Sequence, residues 1–74
     1  MMHELDIVAL LERIPQFGLE PGDIGTIVMV HAGGSAYEVE FATLAGETLA
    51  VLTLPAASVR PLRQREIANG REVA

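Results

Sequence analysis

Glu20-Pro21-Gly22-Asp23 runs straight into Ile24-Gly25-Thr26-Ile27-Val28, a turn joined to a β-branched run with no residue between them. Proline at the second turn position presets φ, and glycine at the third supplies the positive φ that a type II turn requires. A second turn, Ala32-Gly33-Gly34-Ser35, follows after one short strand, and an alternating strand follows that. Turns this close together leave no room for a long helix or a wide sheet. They suit a very small, strongly bent antiparallel β structure.

The rest of the chain continues the pattern. Residues 36–43 place Tyr37, Val39 and Phe41 on one face of a strand and Glu38 and Glu40 on the other. Ala45-Gly46 closes a second hairpin into a strand over residues 48–54. Pro55-Ala56-Ala57-Ser58 reads as a short helical turn, and Val59-Arg60-Pro61-Leu62 as a last short strand that Pro61 confines to an edge or a strand end. Ahead of the turn, residues 6–13 (DIVALLER) admit both helix and strand. Strand is the better reading, because Ile14-Pro15 ends the segment and every later segment is β.

Five strands, a long first loop over residues 14–23 and a one-turn connection before the last strand predict an all-β fold. The expected architecture is a small five-stranded SH3-like antiparallel barrel over residues 1–62. A polar tail over residues 63–74 follows, either disordered or a short helix ended by Asn69-Gly70.

Taken together, Ile14-Pro15, Gly18-Leu19, Pro21 through Val28, Tyr37-Glu38-Val39-Glu40-Phe41, Ala50 through Leu54 and Val59-Arg60-Pro61 resemble an uncharacterised bacterial family, domain of unknown function 4926, over about residues 5–62. The resemblance implies a single-domain bacterial protein of SH3-like shape. It implies no activity and no functional residues, and the polar tail lies outside it.

Register can be read further. With Gly33-Gly34 and Ala45-Gly46 as two-residue turns, Val30 faces Tyr37, Val28 faces Val39 and Thr26 faces Phe41. On the other hairpin Phe41 faces Ala50, Val39 faces Leu52 and Tyr37 faces Leu54. A slip of one residue sends glutamates into the core. The same register turns Ile27, Met29, Glu38, Glu40, Leu49, Val51 and Thr53 outward, an unusually apolar face for a solvated sheet. Three readings of that face stand: a docking surface for a protein partner or a second copy, a patch covered by the N-terminal residues or by Ile67 and Val73 of the tail, or scattered surface hydrophobes. The expected partner-binding residues are Ile27, Met29, Glu38, Glu40, Leu49 and Val51.

Charge narrows the function classes. The net charge is −5, and it is uneven: residues 1–62 hold eight acids against two arginines, whereas residues 63–74 hold three arginines against two acids. There is no lysine. An acidic body without lysine is a poor match for a phosphate backbone, which proteins neutralise with Lys and Arg. The alternative reading, a nucleic-acid-binding barrel using the arginine-rich tail, rests on Arg60, Arg63, Arg65 and Arg71. Only Phe17, Tyr37 and Phe41 are aromatic; the register buries the last two, and Phe17 is expected to plug the first loop against the barrel mouth.

Catalytic patterns are weak. Glu38 and Glu40 share a face, as do Glu4 and Asp6, but acids on an exposed strand face are ordinarily solubilising. His3 and His31 lack a third ligand of zinc spacing. Ser35 and Ser58 sit in turns with no His and Asp at readable positions, and no lysine or helix follows the glycine segments as a phosphate loop requires. Without cysteine there is no disulfide and no thiolate metal site. No apolar run reaches the roughly 18 residues of a membrane span, and Met1-Met2-His3-Glu4 lacks the basic region of a signal peptide. The expectation is a cytoplasmic, non-enzymatic protein-interaction or accessory module without cofactor.

Overall fold

The structure, a computed structural model, describes residues 1–73. Five strands form one antiparallel sheet: β1 (Ile7–Leu10), β2 (Ile24–His31), β3 (Ala36–Ala42), β4 (Thr48–Pro55) and β5 (Val59–Pro61), in the order β4-β3-β2-β1-β5. This is SH3-like connectivity: a meander of β1 to β4, then a one-turn 3-10 helix (Ala56–Ser58) that carries the chain to β5 on the far side of β1. The sheet is bent but not closed. All three residues of β5 pair with β1, so β4 and β5 remain the two edges rather than completing a barrel ladder.

The opening turn is as the sequence predicts. Gly22 has φ of 92°, the Asp23 amide donates to the Glu20 carbonyl at 3.1 Å, and β2 begins at the next residue. Gly25, two residues on, meets a different requirement. A Cβ there would lie 2.5 Å from Val39 Cγ1 and 3.0 Å from Phe41 Cε1, so only glycine lets β2 lie this close over β3.

The core comprises Val8, Leu10, Leu19, Ile27, Tyr37, Val39, Phe41, Leu54 and Val59, with Met2, Ile14, Val30, Leu52 and Ala56 packed around it. It draws on every strand and on Leu19 of the first loop, which returns between Ile14 and the turn. On the β3–β4 side the expected register is observed as far as Phe41: Tyr37 faces Leu54, Val39 faces Leu52 and Phe41 faces Ala50, and beyond it a bulge at Leu49 sets Ala42 opposite Thr48.

On the β2–β3 side it holds only from His31↔Ala36 to Met29↔Glu38. Ile27, not Val28, then faces Val39, and Thr26 faces Glu40. Val28 is the extra residue of a bulge. Its physical setting is the other edge of β2: the Ile27 amide donates to the Asp6 carbonyl at 2.9 Å, and the Ile27 carbonyl accepts from Leu5 N–H at 2.7 Å. A bulge bends and twists the strand that carries it, which lets β2 serve β3 on one side and the chain entering β1 on the other.

One further expectation changes. Phe17 sits in a 3-10 turn (Pro15–Phe17) and is 44% exposed, so it does not plug the sheet. Residues 63–73 form neither helix nor strand, and are tied back to the body by arginine–carboxylate contacts.

Candidate interaction surface

The two bulges decide which predicted residues share a face. Across the outward side of β2, β3 and β4 the register builds two rows, Met29–Glu38–Thr53 and Thr26–Glu40–Val51. Met29 and Val51 are each 47% exposed, and Glu38 and Glu40 are half-buried between them. Glu38 takes a position 3.2 Å from His31 Nε2, and Glu40 accepts a hydrogen bond from the Thr48 hydroxyl at 2.6 Å. Two apolar side chains thus flank two carboxylates that are held in place by neighbours.

Two of the six expected residues leave this face. Ile27 was expected outward, but the bulge at Val28 turns it inward and it is fully buried against Val39. Leu49 is the extra residue of a second bulge: Phe41 faces Ala50 and Ala42 faces Thr48, so Leu49 has no β3 partner. It is half-buried and borders a cavity with Phe17 and Val73. Val28, expected in the core, is 37% exposed instead.

Sequence reading missed a second constellation, at the opening turn. Arg71 Nε donates to Asp23 Oδ1 at 2.8 Å, and Nη2 donates to Asp23 Oδ2 at 2.5 Å and to the Gly18 carbonyl at 2.7 Å. Asp23 Oδ2 also accepts from the Glu20 amide at 2.8 Å, which orients the carboxylate. The Arg71 fork holds the Asp23 carboxyl below the usual aspartate range, and the Glu20 amide adds to this against the opposing effect of burial. Nothing in a Pro-Gly-Asp turn announces a partner 48 residues away. Arg71 alone, in a polar stretch, gave no signal either.

The other tail contact is more local. Arg60 of β5 makes a bidentate pair with Glu66 at 2.7 and 2.8 Å, and Arg63 N–H donates to the same carboxylate. The Arg60 fork first, and that amide second, pull the Glu66 carboxyl down to about 2. Arg13 pairs with Glu20 at 3.2 Å. Three of the five arginines are therefore committed to carboxylates of the same chain.

The remaining polar candidates are dispersed. His3 and Asp6 lie 3.7 Å apart on an exposed turn, and among the described residues no three His, Cys, Asp or Glu side chains come together as metal ligands. The Ser58 hydroxyl donates to the Glu12 carboxylate, tying the turn before β5 to the end of the first strand, and Ser35 lies in the β2–β3 turn. Among the described residues no helix is long and apolar enough to cross a membrane.

A family model described as "Domain of unknown function (DUF4926)" matches residues 4–61. No curated protein and no solved structure matches the chain.

Proposed function

We propose, for a chain that belongs to the DUF4926 family, a non-enzymatic role as an interaction module that docks a protein partner through the outward face of β2, β3 and β4. The observation that carries this reading is the pair of rows Met29–Glu38–Thr53 and Thr26–Glu40–Val51, which set two half-exposed apolar side chains around two fixed carboxylates. Apolar contacts supply the attraction, and the carboxylates select a partner that brings basic groups to the same place. A second copy brings glutamates to glutamates, so a different, basic-rimmed protein suits the face better than self-association.

Binding of nucleic acid by the tail has less support. Arg60 and Arg71 each face a carboxylate of their own chain, and the body around them is acidic.

The test is quantitative capture from a native extract by immobilised wild type, Met29→Glu, Val51→Glu and Arg71→Ala. A protein retained by wild type and by Arg71→Ala, and lost by both face variants, supports the reading. Retention that ignores the face substitutions contradicts it.

A further inference from the structure

The chain's own residues 68–73 form one wall of a cavity of about 650 Å³ whose other walls are the Pro21-Gly22 turn and the β3–β4 hairpin. That segment has no strand or helix pairing, and beyond Glu66 its hydrogen bonds to the body, among the described residues, are those of Arg71. The acceptors belong to the body. Asp23 offers both carboxylate oxygens, 18% exposed as a side chain and fixed by the Glu20 amide, while Gly18 offers a carbonyl from the other limb of the loop. Two acceptor groups converging from two limbs of a loop match the planar fork of a guanidinium, and a lysine ammonium could not engage them in the same way. Two residues after Arg71, Val73 meets Leu49 and Phe17 around a second cavity, which Gly18, Arg71 and Glu72 also line.

We propose that the body's wall of this cavity is a peptide-binding surface for segments of the form arginine, any residue, aliphatic residue, and that Arg71-Glu72-Val73 covers it in cis. The acceptors, Gly18 and Asp23, lie within the part of the chain that the family model matches, whereas the arginine that fills them lies outside it. The body's excess of eight acids over two arginines in residues 1–62 draws basic segments toward it. A segment held by one side chain is displaceable, because an equivalent peptide re-forms every contact that it breaks. The site is separate from the Met29 face.

Fluorescence anisotropy with a labelled hexapeptide, Ala-Asn-Gly-Arg-Glu-Val, tests this on the full chain. A short tether gives the cis segment an effective concentration of order millimolar, so a peptide of about 0.1 mM affinity binds wild type roughly tenfold more weakly than it binds Arg71→Ala. Adding Asp23→Asn to Arg71→Ala keeps an oxygen for the Glu20 amide and is expected to cost tenfold or more in peptide affinity. A probe with alanine in place of its arginine is expected not to bind, a result that does not depend on how any protein variant folds. Met29→Glu in the Arg71→Ala background leaves peptide binding unchanged, which separates this site from the docking face. No binding to Arg71→Ala at millimolar protein, or equal binding of the alanine probe, overturns the proposal.

Discussion

Ile27 of β2 faces Val39 of β3 and both side chains are fully buried, although alternation counted back from the glycine turn assigns that pairing to Val28. One extra residue moves a β-branched side chain from the surface to the core and changes which apolar groups remain outside.

The bulge predicts an asymmetry between neighbours. Ile27→Ala removes buried methyl groups and is expected to cost about 2–5 kcal/mol, whereas Val28→Ala changes a partly exposed side chain and costs less than about 1 kcal/mol. Urea unfolding of the two variants measures this. Equal losses, or a larger loss for Val28→Ala, would put the straight register back.

Gly25 predicts a cost of addition rather than removal. The new methyl of Gly25→Ala would lie 2.5 Å from Val39 Cγ1, closer than carbon atoms approach, so β2 must shift away from β3. Overpacking of this kind costs about 1–3 kcal/mol, visible as a lower urea midpoint with an unchanged slope.

The Asp23–Arg71 pair predicts an acid-sensitive tail. The Asp23 carboxyl is lowered in the folded chain, so its contribution is complete above the ordinary aspartate value of 3.8 and is lost as pH falls through the lowered value. Backbone order in residues 68–73, read as the heteronuclear 15N NOE, is expected to exceed that of Arg71→Ala at neutral pH, and to match that variant well below pH 3.8. NOE values that are the same in both proteins at neutral pH contradict the clamp.

Much of the fold is legible in the residues, and the reasons are local. Pro21-Gly22 determines its turn through φ preferences, Tyr37, Val39 and Phe41 determine a strand face through alternation, and the helical turn expected over Pro55 through Ser58 is present over Ala56–Ser58, with Pro55 ending β4. The bulges at Val28 and Leu49 were not legible, because a bulge is set by what pairs with the strand's other edge or packs around it, as Leu5 and Asp6 do at Ile27. The candidate site inherits this limit. Met29, Glu38, Glu40 and Val51 stay together because their cross-strand partners lie outside the bulged residues, while Ile27 and Leu49 do not. Asp23 and Arg71 were invisible for a different reason: 48 residues of chain separate them, and each has an ordinary local role, turn acid and solvated base.

The docking face itself is tested most directly by titrating the captured partner against wild type and Met29→Glu at matched stability. Burying a glutamate where an apolar side chain sits beside Glu38 adds charge repulsion to lost apolar contact, so the account predicts at least a tenfold loss of affinity. Equal affinity of the two proteins for the partner would contradict it.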